Sequence, residues 1–338
     1  MRLTVADARR LVDDVMRVRG HDPAEAALVA DHLIDCELRG VHYGGLPRAL
    51  SIAERMRRTP VPPSPIRIEH ETPVSARIDG GDRIGYVVAH RATEMVVAKA
   101  PAAGIGVVGA HNTWYTGMLS YYAEKATTQG LVAIIASNAS PWVAPHGATE
   151  GRVGTNPVCV GFPSREEPVI WDIGTSAIMH AEVLLAERLG QPLPEGAAFD
   201  ASGRPTRDPA SALEGAFSAW GGHKGSGLAI VVQMLGALAG APFIPPDLAR
   251  FGFLILALRP DLLTPAEEFA AGVASFAATV REAHPLHADQ PVRMPFDRSR
   301  AERPRRLADD AIDVPDAIYT ALRDIAAQTQ PGQPWDLI

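Results

Sequence analysis

The residues best suited to chemistry lie in the stretch 137–176 and in a shorter one, 220–227, that reads WGGHKGSG. Small residues, Asn and Thr cluster at predicted strand ends in the first stretch. In the second, Lys224 is flanked by glycines where a helix is predicted to begin. Backbone amides freed by glycine, hydroxyl groups and one lysine suit a polyanion such as the pyrophosphate of a dinucleotide. The sequence therefore predicts a phosphate-binding site built from these two stretches.

Another glycine motif, at 104–109, matches G-x-G-x-x-G but lacks the context of a dinucleotide fingerprint. That fingerprint needs a strand before it and a helix after it. Here a helix is predicted before the motif, and Ile105, Val107 and Val108 belong to a strand inside it. These glycines are interpreted as residues at the ends of a strand, so a Rossmann domain is not expected.

Composition and charge favour an enzyme that acts on small molecules. The chain has 338 residues, enough for one elaborate domain or two interleaved ones. Its 32 basic and 39 acidic residues give a net charge of −7, so no basic field favours nucleic acid. The longest apolar run, 228–243, is interrupted by glycine, proline and Gln233, which suits a buried helix rather than a membrane span.

Neither the cysteines nor the histidines predict a metal site or a disulfide framework. Cys36 and Cys159 are predicted to be inert thiols in a helix and a buried strand. The tightest histidine pair, His284-x-x-His287, lies in a proline-rich stretch that reads as a solvated turn. The start of the chain lacks the apolar segment of a signal peptide, so a cytoplasmic location is expected.

The elements that must position these residues begin with a helical block. Helices are predicted after Thr4, from Asp22-Pro23 to residue 38, and over 46–56. A proline-rich connector at 60–65 follows.

The middle of the chain alternates predicted strands and helices, which argues for a sheet with helices packed on it. The strands are predicted at 74–78, 105–108, 132–135, 158–162, 169–172 and 254–258, and the helices at 85–100, 118–129 and 225–238. A loop-rich tail is expected to hold only the helices 267–281 and 316–326. The predicted division is a helical segment 1–65 with the substrate loop, a cofactor-binding domain 66–260, and a tail 261–338 that packs back on the first segment.

Three motifs resemble the malate/L-lactate dehydrogenase family, whose members lack a Rossmann fold. They are Gly154-Thr155-Asn156-Pro157, Asp172-Ile173-Gly174-Thr175-Ser176 and Gly221-Gly222-His223-Lys224-Gly225. The family includes sulfolactate, ureidoglycolate and diketogulonate dehydrogenases and cyclic-imine reductases. The resemblance implies a three-layer α/β sheet domain of the sulfolactate-dehydrogenase type, with a helical N-terminal part. It also implies NAD or NADP as cofactor and a homodimer.

The resemblance extends to the residues that hold the cofactor. Asp297 lies where the family has a Pro-Gly-Glu loop, and Asn138 and Ser140 match a region of cofactor and substrate contacts. The implied cofactor-binding residues are Asn138, Ser140, Asn156, Asp172, Gly174, Thr175, Ser176, His223, Lys224, Gly225 and Asp297.

The substrate side of the site is expected in the loop 40–48. In the family this loop carries Ser-His-Gly followed by an arginine, and Arg48 matches that arginine. A planar guanidinium can bind a carboxylate through two parallel hydrogen bonds. Both proton-transfer histidines of the family are replaced here, one by Gly44 and the other by Tyr115. The alternative donors are Tyr115, if a nearby cation lowers its pKa, and His42.

Tyr43, Trp114 and Ser140 complete the implied substrate site beside Arg48. The aromatic residues suggest a bulkier pocket than malate needs, although Trp114 and Tyr115 read equally well as a packed aromatic pair. The expected function is NAD(P)H-dependent hydride transfer to the C2 carbonyl of a 2-keto acid or to the C=N bond of a cyclic imino acid. The alternative is a non-redox binding protein, or a lyase, that reuses the fold.

Overall fold

The structure is a computed structural model that describes residues 1–58 and 63–328. Its first block is helical, and the predicted caps are confirmed. The Thr4 side chain accepts a hydrogen bond from the Asp7 amide, and Asp22 caps a helix that has Pro23 at its first position. The elements are β1 (Arg2–Leu3), α1 (Val5–Val18), α2 (Pro23–Leu38) and α3 (Leu46–Arg58). Part of the predicted connector, 60–62, lies outside the described residues.

A seven-stranded mixed sheet forms the centre of the protein. Its strands are β2 (Arg67–Glu71), β3 (Ser75–Ile84), β4 (Ile105–Trp114), β5 (Val132–Ser137), β7 (Val158–Phe162), β8 (Val169–Ile173) and β12 (Phe251–Leu258). Their order is β2-β3-β4-β12-β5-β7-β8. Within this sheet β3 and β4 run parallel, and the other neighbouring pairs are antiparallel. These directions bring the carboxyl ends of β3, β4, β5 and β8 to one edge.

Helices cover both faces of this sheet, which gives three layers. α4 (Gly85–Ala103) and α5 (Ser120–Thr127) pack on one face, and α8 (His223–Leu238) packs on the other. Side chains alternate between the faces along each strand. Ile135 therefore belongs to the core under α4 and α5, whereas Ala136 packs against Val232 of α8. The predicted three-layer α/β class with a helical N-terminal part agrees with this arrangement.

A smaller four-stranded sheet lies between β5 and α8 in the chain. It has the order β10-β9-β11-β6. Its elements, with the two helices that accompany it, are β6 (Val143–Ala144), α6 (His180–Leu189), β9 (Ala198–Phe199), β10 (Pro205–Thr206), α7 (Pro209–Glu214) and β11 (Ala216–Ser218). Strand periodicity did not predict this sheet, because its strands are only two or three residues long.

The tail contains more helix than its prolines suggested. It forms α9 (Ala266–Arg281), α10 (Asp297–Asp309), β13 (Ile312–Asp313) and α11 (Asp316–Ala326). The prediction of loops alone between the two outer helices is wrong at α10, which carries Pro304 inside it. Ion pairs outside the helix, Arg303 with Asp35 and Arg281 with Asp297, hold α10 in place. Such tertiary contacts outweigh the local cost of the proline.

The tail also completes the core of the first block. β13 pairs with β1, and α11 packs on α1. Ile312, Ile318 and Leu322 share one buried cluster with residues of α1, α2 and α3. The two ends of the described chain therefore build one common core.

The interpretations of the glycine motif and of the two cysteines are confirmed. The glycine motif at 104–109 opens β4, and a side chain at Gly109 would lie 3.0 Å from the backbone of Ala239. Cys36 and Cys159 are buried free thiols. Within the described residues no group of three or more metal-binding side chains occurs, and no helix is long and apolar enough to cross a membrane.

Candidate active site

The sheet edge where β4, β5 and β8 end opens into a cavity of about 450 Å³. These strand ends contribute Tyr115, Asn138 and Asp172 to its wall. The loop between α2 and α3 contributes Tyr43, and Arg48 of α3 follows it. The segment 293–299 of the tail closes the cavity, so residues far apart in sequence meet here.

Arg48 reaches the cavity without an acidic partner among the described residues. The turn before it is fixed by the buried Glu37 carboxylate, which accepts hydrogen bonds from the Leu46 amide and from His42 Nδ1, each at 2.7 Å. A side chain at Gly45 would collide with Glu37, so glycine is required there. Nη1 of Arg48 is buried and has no hydrogen-bond partner. An orphaned guanidinium in a cavity wall is suited to a ligand carboxylate.

Tyr115 packs its ring against the Arg48 guanidinium and is not an activated acid. The Arg48 guanidinium lies 4.2 Å from the centroid of the Tyr115 ring, a cation–π contact. Burial raises the pKa of Tyr115, and the opposing effect of Arg48 is smaller. The condition that a cation lowers the pKa of Tyr115 is therefore not met. Tyr115 has a φ of 51°, which is unusual for an aromatic residue. This backbone conformation sets the direction of its ring.

His42 lies beside the cavity and does not line it. Its side chain is 48% exposed, with Nδ1 bonded to Glu37 and Nε2 at 3.5 Å from Nη2 of Arg306. The structure thus gives His42 a place in the hydrogen-bonded turn that positions Arg48.

Asp172 enters the cavity from the end of β8. Its carboxylate accepts a hydrogen bond from the Ser120 amide at 2.7 Å, at the start of α5. Burial raises the pKa of Asp172 to about 6, although that amide bond opposes the shift. A buried carboxyl group makes a poor phosphate ligand, because two anions would face each other. The geometry therefore gives no support to direct phosphate binding by Asp172.

Several predicted contact residues use their polar groups within the protein. Trp114 is buried outside the cavity wall and donates a hydrogen bond to Asp82 O. Ser140 ties down the loop before β12, donating to Pro246 O and accepting from the Leu248 amide. The core-packing alternative for Trp114 is thus the one that the structure shows.

Asn156, just before β7, and Thr175, just after β8, fix two neighbouring loops in the same way. The Asn156 amide bonds Ala229 O and Gln233 Oε1, both at 2.7 Å, and the Thr175 hydroxyl donates to carbonyls of 155 and 156. Asp297 accepts two bonds from Arg281 and one from the Met294 amide, which lowers its pKa and leaves it outside the cavity wall. These side chains position loops, and their polar atoms are occupied.

A continuous path leads from the cavity to the start of α8. Gly174 lines the cavity, and the next residue, Thr175, accepts the Trp220 amide through its carbonyl. Gly221 and Gly222 then turn the chain with φ of 61° and 63°. His223 and Lys224 follow in the first turn of α8, where both are exposed. The positive end of a helix therefore lies one short turn away from the cavity, together with Lys224, which has no ion pair within the part of the chain that the structure describes.

The chain matches known proteins in both sequence and fold. A family described as malate/L-lactate dehydrogenase matches residues 3–323. The chain belongs to this family. It is 31% identical over 334 residues to the L-sulfolactate dehydrogenase of Methanocaldococcus jannaschii, covering 96% of each chain. It is 33% identical over 253 residues to a Δ1-pyrroline-2-carboxylate/Δ1-piperideine-2-carboxylate reductase of Pseudomonas putida, covering 72% of each. A dehydrogenase from Sinorhizobium meliloti has the same fold, with a TM-score of 0.89, 30% identity and coverage of 97% and 98%.

As a member of the malate/L-lactate dehydrogenase family, the protein is a nicotinamide-dependent oxidoreductase. The residues present fit such a cofactor. Asn138 lines the cavity with a buried Nδ2 that has no partner, while its Oδ1 accepts the Gly252 amide at 2.7 Å. A side chain at Gly225 would collide with the carbonyl of Trp220, so the tight turn into α8 needs glycine. Free donors in the cavity and a glycine turn at a helix start suit a dinucleotide.

Sequence reasoning missed two aromatic walls of the dehydrogenase site. Trp142 and His180 stack with ring centroids 3.9 Å apart and an interplanar angle of 8°. Burial lowers the pKa of His180 to about 3. Phe296 lies under the Arg39 guanidinium, 4.8 Å from it. No local pattern marks these residues, because each reaches the cavity through contacts distant in sequence.

Proposed function

We propose that the enzyme reduces C2 of a 2-oxo acid or of a cyclic imino acid with NADH or NADPH. The observation that carries this proposal is the unpartnered, buried Nη1 of Arg48 in the cavity wall. A guanidinium nitrogen that has no hydrogen-bond partner among the described residues is available to hold the carboxylate next to the reacting carbon. The reduced nicotinamide, when bound, supplies the hydride.

The side chains around Arg48 position the substrate. The Tyr115 ring holds the guanidinium by its face, and the Glu37 network fixes the turn from which Arg48 projects. Orientation of this kind lowers the barrier, because the reacting carbon is held where hydride can reach it.

We propose that the cofactor follows the path from Asn138 and Gly174 to the start of α8. Asn138 offers a free amide donor, and Lys224 offers a charge at the positive helix end. His223 and Gly225 belong to the start of α8, and Ser176 lies beside it through a β-bridge to Ala219. Ser140, Asn156 and Thr175 serve the cofactor indirectly, since they hold the loops that carry it.

The cavity favours a bulky or ring-shaped acid over a small diacid. Tyr43, Trp142, Phe251 and Phe296 line it together with Tyr115. Aromatic walls gain more from burying an apolar ring than from burying a second carboxylate. We therefore expect cyclic imino acids and aromatic 2-oxo acids to have a higher kcat/KM than oxaloacetate. A clear preference for oxaloacetate would contradict this expectation.

The test of the function is separate titration of the protein with NADH and NADPH, followed through protein fluorescence. Trp142 and Trp171 line the cavity, so a bound nicotinamide should quench them. Lys224→Ala should weaken binding about tenfold, in line with one charge at a helix start. Lys99→Ala is the matched control, because Lys99 of α4 forms an ion pair with Glu71 of β2. If neither dinucleotide binds to the folded protein, the proposal is wrong.

We further propose that the enzyme is a homodimer that uses α8 as its contact surface. The helix exposes Val231, Met234 and Leu238, and the following loop exposes Phe243 and Ile244. A contiguous apolar stripe of this kind is typical of a surface that a symmetric partner covers. Val231→Glu should shift the mass measured by light scattering from two chains to one. An unchanged mass for this variant would refute the contact surface.

A cytoplasmic location forms part of the same proposal. Its support is that Cys36 and Cys159 are buried and unpaired, as expected where thiols stay reduced. Fractionation of cells that express the protein tests it.

A further inference from the structure

Asp172 is the carboxyl group that the structure brings into the candidate active site. Among the described residues that line the cavity, it is the only carboxylic acid. It is the penultimate residue of β8 at the sheet edge, where the Ser120 amide donates to Oδ2 at 2.7 Å. The carboxyl group is thus held in one place by backbone and has access to the cavity.

Asp172 differs from the other buried acids of the protein in its surroundings. Asp35 is paired with Arg39 and Arg303, and Asp79 is paired with Arg67. In the part of the chain that the structure describes, Asp172 has no ion pair. A buried carboxylate without an ion pair is costly, so ionisation of Asp172 is disfavoured and its proton is held to higher pH than in an ordinary aspartate. A neutral carboxylic acid in a cavity can donate its proton to a ligand.

The other titratable groups of the cavity are poorly suited to that task. Burial lowers the pKa of His180 to about 3, so its ring carries no proton to give at neutral pH. Burial raises the pKa values of Tyr43 and Tyr115, and the ring of Tyr115 is covered by Arg48. Burial also raises the pKa values of the Cys36 thiol and the Tyr86 hydroxyl. Arg48 is needed as a cation, and the other charged groups of the wall, Arg293 and Arg298, are guanidinium groups that do not give up a proton.

We propose that Asp172 is the proton donor of the reduction. This inference rests on the proposed reductase function. Hydride adds to C2 of the substrate, and the π bond between C2 and its oxygen or nitrogen breaks. The electron pair of that bond takes the proton of the Asp172 carboxyl group. Asp172 is left as a carboxylate, the nicotinamide is left oxidised, and the carboxylate takes a new proton from water.

Position as well as charge supports this role. Tyr43 lies within electrostatic range of both Asp172 and Arg48. The proposed donor and the proposed carboxylate anchor therefore both lie near one aromatic residue, and all three line the same cavity.

The experiment compares wild type with Asp172→Asn, using pyruvate, phenylpyruvate and Δ1-piperideine-2-carboxylate. Asparagine keeps an oxygen for the Ser120 amide but cannot supply the proton. We expect kcat to fall at least 100-fold, as for loss of a general acid, while NAD(P)H binding stays within twofold. In wild type kcat should decrease as pH rises above about 6, because the donor must be protonated. The remaining activity of the variant should lose this dependence.

Infrared difference spectra of wild type minus variant provide a readout that needs no turnover. They should show a protonated carboxyl band at pH 5 that disappears by pH 8. If the variant does not fold, Asp172→Glu replaces it, with the carboxyl group and the pH dependence retained. Reduction by wild type together with full activity of Asp172→Asn would overturn the inference and leave the reductase function intact. Binding of the cofactor without reduction of any acid would overturn both.

Discussion

Replacing Asp172 by asparagine should stabilise the protein at alkaline pH. An ordinary aspartate has a pKa of about 3.9, and burial raises that of Asp172 to about 6. The folded state therefore holds this proton more tightly than the unfolded chain does. Stability falls as pH rises from the unfolded to the folded pKa, because the buried group must ionise. Above pH 7 the ionised side chain costs the fold about 3 kcal/mol.

The magnitude has a definite pH dependence. Linkage between the two pKa values gives a gain for Asp172→Asn of about 3 kcal/mol at pH 8 and about 1.5 kcal/mol at pH 5. Asparagine has no proton to lose, and its oxygen can still accept the Ser120 amide that the aspartate accepts at 2.7 Å. Urea unfolding of wild type and variant at both pH values, followed by circular dichroism, measures this difference.

Asp297→Asn is a matched control, for which the expected change in the free energy of unfolding has the opposite sign. Asp297 is ion-paired with Arg281, which lowers its pKa. Its contribution is present above the unfolded pKa and is lost only in acid, so Asp297→Asn should destabilise the protein at pH 5 and pH 8 by similar amounts. An Asp172→Asn variant that is less stable than wild type, by the same amount at both pH values, would refute the reasoning.

Three further outcomes are expected. Arg48→Lys keeps the charge but loses the two-pronged geometry, so KM for the acid should rise about 10- to 100-fold with kcat less affected, as steady-state kinetics will show. Tyr115→Phe keeps the ring 4.2 Å from Arg48 and should stay within about threefold of wild-type kcat/KM, whereas Tyr115→Leu should lose about tenfold; equal loss in both would restore the hydroxyl as a candidate donor. Gly225→Ala should abolish dinucleotide binding, because its Cβ would collide with the Trp220 carbonyl. Gly227→Ala has open space around its Cβ, so it should raise the free energy of unfolding by about 0.5–1 kcal/mol, as thermal melts will show.

Local signals predicted the elements well. Thr4 and Asp22 mark helix starts because a cap is decided by a few neighbouring residues. The motif at 104–109 is identifiable as part of a strand from its own apolar residues and from the helix predicted before it. In contrast, α10 was missed, since prolines argue locally against a helix that distant ion pairs stabilise. The division into three parts remains a prediction.

The site was predictable only where a motif carries it. Arg48 matches a family motif and does line the cavity, and Tyr115 lines it too. Trp114 and Tyr115 are neighbours that point to different places, one into the core and one into the cavity wall. No sequence pattern separates them, because a positive φ at Tyr115 decides the direction. The role inferred for Asp172 depends on its place in the cavity wall and on the lack of an ion pair to it among the described residues, which only the fold reveals.

The shared core of the two chain ends has a consequence for synthesis. α1 finds its partner α11 only after some 300 further residues have been translated, which takes about 15–60 s at about 5–20 residues per second. Until then the apolar faces of α1, α2 and α3 lack the tail residues that they pack against in the folded protein. The turn that carries Arg48 should therefore reach its final conformation late. Loss of the last helix, by a premature stop or by proteolysis, should therefore disturb the opposite end of the gene product first. A reporter of nascent-chain compaction should show the N-terminal block folding last.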